Sequence, residues 1–149
     1  MKIIVDGDGC PVVKQTIEIC KKKEIEVIVV KNINHKIDSD YAEIITVDFS
    51  RDSADYKIAN LTLKNDIVVT QDYGLCAMVI SKGGICINQN GKIIDSSNID
   101  TLLASRHFNQ EQRRKHKKHN SKFKKRDNSM NEHFKIALID MINSIFMLQ

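Results

Sequence analysis

The chain is poor in everything that would anchor, tether or cross-link it. Among its 149 residues there is one proline, six glycines and no tryptophan, and aromatic residues make up only 5%. No uncharged apolar run approaches the ~20 residues that cross a bilayer, because Asp140 and Asn143 interrupt the last candidate. The opening Met-Lys-Ile-Ile-Val-Asp turns acidic too soon for a secretory leader. A cytoplasmic chain with no membrane partner is therefore expected. The four cysteines, at 10, 20, 76 and 86, form no Cys-x-x-Cys pair. In a reducing compartment they serve as small hydrophobes rather than disulfides. Cys10 precedes an expected helix start, where a thiolate gains from the dipole, but no His or second Cys lies near it in sequence. Internal repeats and Gly/Ser linkers are also missing, so nothing divides the chain into separate globular units.

What is present is ordinary in amount and uneven in placement. Hydrophobic residues make up 42% and charged residues 28%, enough for one soluble domain with a real core. The net charge of +4 hides a split. From Arg106 onward there are 11 Lys or Arg against 4 Asp or Glu, while the preceding 105 residues hold 12 against 15. An acidic body with a basic rear suggests a polyanionic partner.

Apolar runs and turn signals alternate along the chain. Residues 3–5 read as a buried strand feeding a helix that opens at Pro11 and closes on Lys21-Lys22-Lys23. Residues 25–30 and 44–47 make further strands, separated by a polar irregular stretch at 32–40. A helix over 52–64 leads to a strand at 66–70, and a helix over 75–80, stopped by Gly83-Gly84, leads to a strand at 85–87. Asn90-Gly91 turns the chain into a hairpin partner at 92–94. The pattern predicts an α/β protein, a three-layer α/β/α sandwich on a mainly parallel five-stranded sheet. Its body spans 1–108, with a short helix over 98–108. A basic connecting segment follows at 109–129. An amphipathic helix at 130–149, with Phe134, Leu138, Met141, Ile142 and Ile145 in one stripe, packs on the domain or on the partner of a homodimer.

The candidate chemistry lies in aspartates at strand ends. Asp6-Gly7-Asp8-Gly9 follows the first strand, Asp72 follows the fourth, and Asp52 and Asp55 open the helix between them. If strands one and four are neighbours, a crevice opens where their connections diverge, and Asp6, Asp8 and Asp72 face one another across it. Carboxylates that close raise one another's pKa. Either a divalent cation with oxygen ligands relieves the conflict, or one aspartate is a nucleophile beside a general acid. Duller duties compete. Asp52 and Asp55 have N-cap and N3 spacing, and Asp72 can cap the next helix. Asp8 has no such task if Cys10 is the N-cap, and Asp6 has none. Thr70 and Gln71 can position a water or a phosphate oxygen. In the rear section Arg113, Arg114, Lys115, Lys117, Lys118, Lys122, Lys124, Lys125 and Arg126 can neutralise phosphates. Phe108 and Phe123 are too sparse an aromatic set to indicate base stacking.

The stretches Asp6-Gly7-Asp8-Gly9-Cys10-Pro11-Val12, Arg51-Asp52-Ser53-Ala54-Asp55, Asp66-Ile67-Val68-Val69-Thr70-Gln71-Asp72-Tyr73-Gly74-Leu75-Cys76-Ala77 and Lys82-Gly83 resemble the YaiI/YqxD family of bacterial proteins, which is PIN-domain-like. The resemblance covers the chain to about Arg106. It departs where the family has Ala in place of Gly7 and Gly9, and where it has a Gly/Pro-rich stretch in place of residues 116–125. It implies adjacent strands one and four. It also implies Mg²⁺ or Mn²⁺ held by Asp6, Asp72 and an acidic residue of the intervening helix, Asp55 or Asp52. The implied activity is metal-dependent cleavage of RNA or structured nucleic acid. The first reading is accordingly a metal-dependent nuclease in which Asp6, Asp8, Asp55 and Asp72 hold the ion and carry catalysis. A haloacid-dehalogenase-like phosphatase with Asp6 as nucleophile shares the Asp-x-Asp-Gly opening, but Cys10 stands where Thr or Val is expected and no Gly-Asp-x-x-x-Asp follows. A nucleic-acid-binding protein without catalysis is the third reading.

Overall fold

The computed structural model describes residues 1–50, 52–115 and 125–148. Six strands form one sheet: β1 (Ile3–Asp6), β2 (Val27–Asn32), β3 (Glu43–Val47), β4 (Ile67–Val69), β5 (Ile85–Ile87) and β6 (Ile93–Ile94). Their order is β3-β2-β1-β4-β5-β6, parallel throughout except for the antiparallel β5–β6 pair. The sheet has six strands rather than five because Ile93 and Ile94, too short a run to stand alone, pair with Ile87 and Cys86 across the Asn90-Gly91 turn. Gly91 takes φ +84° there, a conformation costly for residues with a side chain.

Among the described residues five helices cover the sheet: α1 (Val13–Lys23), α2 (Ser53–Leu61), α3 (Tyr73–Ser81), α4 (Ile99–Lys115) and α5 (Asn128–Met147). Strand pleating divides the core in two. Ile3, Val5, Val27, Val29, Ile67 and Val69 face α1 and α5, while Ile4, Ile28, Val30 and Val68 face α2, α3 and α4. The result is an α/β/α sandwich whose central strands β1 and β4 are apolar on both faces, as parallel strands covered by helices must be, while the edge strand β3 exposes Glu43 and Thr46. Phe134, Leu138 and Ile142 of α5 are fully buried against α1 and the sheet. Burying each such side chain contributes about 1.5–3 kcal/mol. The stripe is covered by its own chain.

Several boundaries differ from expectation for identifiable reasons. The turn after β1 takes up residues 7–12, with Gly9 at φ +70°, so α1 starts at Val13 and its N-cap is Val12, not Cys10. Pro11 lies in the turn ahead of the helix. At the other end Glu24 turns left-handed (φ 55°) and the Ile25 amide bonds the Cys20 carbonyl at 2.9 Å, so β2 begins two residues later than its apolar run. The fourth helix runs on to Lys115, past residue 108, through the helix-favouring sequence Gln-Glu-Gln-Arg-Arg-Lys.

Candidate active site

The sheet order makes β1 the strand from which the chain departs in two directions, to β2 on one side and, by way of β3 and α2, to β4 on the other. A crevice at the C-terminal ends of β1 and β4 follows from that topology, and open α/β sheets bind ligands at such a point. Strands one and four are adjacent, as the family resemblance implies, in the register Ile4↔Val68 and Val5↔Val69. Continuing it sets Asp6 opposite Thr70, both on the face that Ile4 and Val68 share with α2 and α3. Pleat parity alone therefore turns Asp6 toward the two helices that begin with Asp55 and Asp72.

Thr70 fixes the centre. Its hydroxyl donates to Asp6 Oδ2 at 2.9 Å and accepts the Asp72 amide at 3.1 Å, joining two chain segments 64 residues apart. Asp72 is the N-cap of α3, where its Oδ1 accepts from the amides of Gly74 at 2.8 Å and Leu75 at 3.3 Å. Capping and a place in the crevice coexist, because the cap holds the carboxylate at the mouth. Asp55 sits in the first turn of α2. Asp52 occupies the N-cap position of α2 at φ 71°, yet its side chain makes no capping bond, so the expected capping box is not formed. Gln71 accepts from Gln89 at 3.0 Å, which ties the strand-four loop to the β5–β6 turn.

Asp8 has a structural duty that its sequence neighbours do not reveal. Both its oxygens accept from the Asn32 amide, at 3.0 and 3.2 Å, and His35 Nε2 lies 3.7 Å away. Asp8, which would be the general acid of the phosphatase alternative, is thus oriented by the backbone of the neighbouring strand.

The electrostatics are those of crowded acids. Burial pushes the Asp6 carboxyl up to about 6, opposed by the Thr70 hydrogen bond and reinforced by repulsion from Asp55, Asp8 and Asp72. Asp55 also rises to about 6, through burial first and then the charges of Asp72, Asp52 and Asp8. All four aspartates share one field. Burial raises the Cys10 thiol as well, which opposes thiolate chemistry there.

Asp6, Asp8 and Asp72 line a cleft of about 620 Å³, shared with Gln71, Tyr73, Asn88, Gln89, Asn90 and Arg106. Among the described residues, however, no three His, Cys, Asp or Glu side chains converge to hold a metal ion directly. The direct set of four carboxylates expected from the sequence is thus not assembled. Its members come from a strand end, a turn and two helix starts: Thr70 holds Asp6, the Asn32 amide holds Asp8, and the α3 amides hold Asp72. The donor chemistry still fits one cation type. Magnesium keeps several waters and takes only one or two protein carboxylates, and a hard divalent ion offsets the repulsion that raises Asp6 and Asp55.

The basic residues fare differently. Lys117, Lys118, Lys122 and Lys124 lie outside the described residues, and Arg113, Arg114 and Lys115 are described only as backbone positions of α4. Lys125 is exposed. Arg126 is not a free phosphate contact: its guanidinium bonds Asn131 and Asn90 at 2.8 Å and the Gln89 carbonyl at 2.5 Å, pinning the β5–β6 turn to the start of α5. The cation that does reach the acidic cleft is Arg106, 3.7 Å from Asp72 Oδ1, a residue absent from the expected site. Helical spacing could have found it. Leu102 and Leu103 pack toward α3, and residue 106 follows them by four and three.

Among the described residues no helix is long and apolar enough to cross a membrane. A family model described as "Uncharacterized BCR, YaiI/YqxD family" matches residues 4–144. A UPF0178 protein of Alkaliphilus oremlandii is 51% identical over 142 residues, covering 94% of this chain and 92% of that protein. One from Natranaerobius thermophilus is 44% identical, with coverages of 95% and 96%, and one from Lachnoclostridium phytofermentans is 42% identical, with 97% and 99%. Among solved structures, the crystal structure of Rae1 (YacP) from Bacillus subtilis (W164L mutant) aligns with a TM-score of 0.48 at 16% identity, over 97% of this chain and 99% of that one. With a model match over nearly its whole length and relatives this similar, the chain belongs to the YaiI/YqxD family.

Proposed function

We propose that this protein is a divalent-metal-dependent nuclease that hydrolyses phosphodiesters of RNA or structured nucleic acid at the mouth between β1 and β4. The observation that supports it is the position of Asp6, half-buried at the strand switch point and in the repelling field of Asp55, Asp8 and Asp72. Buried acids this crowded are costly without a positive partner. Asp6 and Asp72 would hold Mg²⁺ or Mn²⁺ through one or two direct contacts and otherwise through water, with Asp8 and Asp55 completing the negative field. Such an ion, when bound, supplies charge neutralisation and Lewis acidity at a phosphoryl oxygen.

The chain's own contribution is orientation. Thr70 fixes the Asp6 carboxylate, the α3 amides fix Asp72, and the Asn32 amide fixes Asp8, so these acids meet a substrate without first having to order. Gln71, Asn88, Gln89 and Asn90 offer neutral donors and acceptors along the same cleft. The basic rear section supports a polyanionic partner.

The test is cleavage of an end-labelled RNA. Wild type cuts in Mn²⁺ and stops in EDTA, and Asp6→Asn falls at least ~100-fold, the scale of losing several kcal/mol of charge stabilisation. Equal cutting by Asp6→Asn would exclude this site. Binding without cutting by either protein would instead select the non-catalytic reading.

A further inference from the structure

Arg106 is an oddity in a cleft otherwise walled by carboxylates and amides. Its guanidinium carries five donors in a rigid fork. Yet among the described residues it makes no hydrogen bond, and its one ion-pair partner is Asp72 Oδ1, at 3.7 Å, beyond hydrogen-bond length. That oxygen is already engaged by the Gly74 and Leu75 amides. About half the Arg106 side chain faces solvent, so its donors are open rather than sealed into an ion pair.

Arg106 and Tyr73 also form a seam. Both line the acidic cleft, and both line a second cleft of about 440 Å³ that runs along α4 past Ser105, Asn109 and Gln110. Among the described residues the second cleft is lined by no carboxylate: apart from Arg106 it holds neutral polar groups and Leu102. A strand of phosphates approaching Asp6, Asp8 and Asp72 meets repulsion from the carboxylates, neutral amides at Gln71, Asn88, Gln89 and Asn90, and a positive charge at this seam. A planar fork with unfilled donors at that point suits bidentate contact to a phosphodiester.

We propose that Arg106 is a phosphate-recognition residue, holding a phosphodiester that flanks the acidic mouth and directing the strand over Tyr73 into the second cleft. This rests on the nucleic-acid reading above for the identity of the strand. It assigns Arg106 a binding role that Arg126, bonded into the β5–β6 turn, does not fill.

Binding measured in EDTA separates this proposal from the nuclease itself. The probe is a 5′-fluorescein single-stranded RNA of 12 nucleotides, followed by anisotropy between 50 and 200 mM NaCl. Arg106→Ala weakens binding about 3–10-fold and lowers the magnitude of the log–log salt slope by about 0.7, the value for one lost phosphate contact on a single strand. Arg106→Lys retains the slope but only part of the affinity, since it keeps the charge and loses the fork. Asn109→Glu, which puts a negative charge into the second cleft, also weakens binding. Because Arg106 and Asn109 are exposed or half-exposed, thermal unfolding of all three variants stays within a few degrees of wild type. Unchanged affinity and slope in Arg106→Ala overturns the proposal, as does the absence of RNA binding by wild type at micromolar concentration. If Arg106→Ala weakens binding while wild type fails to cut RNA in Mn²⁺, the phosphate site stands and the nuclease falls. The reverse pair of results removes the phosphate site alone.

Discussion

Asp6 sits where the β1 backbone ends and carries the cost of its own position. Its carboxyl titrates near 6 in the folded chain against an ordinary 3.8, chiefly through burial. Between those two values the folded state holds a proton that the unfolded state has released. Acid therefore stabilises the fold with respect to this group, and the stabilisation is lost as pH rises through about 6. Asp55 acts in the same direction. Replacing Asp6 with Asn keeps an acceptor for the Thr70 hydroxyl and removes the charge. In metal-free buffer at pH 7.5, Asp6→Asn raises the midpoint of thermal unfolding by about 2–6 °C, and the gain shrinks toward pH 4. Calorimetry over pH 4–8 checks this. A lowered midpoint at every pH would mean that the ionised carboxylate stabilises the fold. Sites of this kind commonly sacrifice stability, and here the sacrifice has a named atom.

The elements explain why some of the site was legible in the sequence and some was not. A carboxylate at the end of an apolar run is visible as such, so Asp6 and Asp72 could be placed at strand ends and paired once strands one and four were taken as neighbours. Asp8 could not be understood the same way. Its partner is the Asn32 amide, 24 residues distant, and only the parallel pairing of β1 with β2 brings them together. Helical spacing sets Arg106 on the face of Leu102 and Leu103, but that this face meets the acidic cleft follows only from the packing of α4 on α3. The hairpin partner at 92–94 was legible from Asn90-Gly91 and forms the sixth strand, short as it is, whereas Asp52 misled because a suitable N-cap residue at φ 71° makes no capping bond. The helix α3 offers a separation of roles. Asp72→Ala loses the cap and costs about 0.5–2 kcal/mol of stability, whereas Asp72→Asn keeps an acceptor for the Gly74 and Leu75 amides and costs little. Both variants lose the response to divalent metal. Denaturant melts with and without MnCl₂ test this, and an Asp72→Asn protein that still gains stability from Mn²⁺ would leave Asp72 as a cap only.

At the scale of the molecule, charge and topology point the same way. The sheet order creates one crevice at the β1–β4 switch point, the body that surrounds it is acidic, and the basic excess lies in the rear section. The two core layers hold the crevice from both sides: α1 and α5 buttress β1 from one face, while α2 and α3 bring Asp55 and Asp72 to the other. On the proposed reading, this gathering of acids holds a divalent ion. Titration calorimetry with Mn²⁺ at pH 7.5 tests it most directly. Wild type takes up Mn²⁺ with a saturable isotherm, and Asp6→Asn and Asp72→Asn each weaken it at least ~10-fold while remaining folded. An isotherm unchanged by either substitution, or no uptake by wild type at millimolar Mn²⁺, would contradict the account.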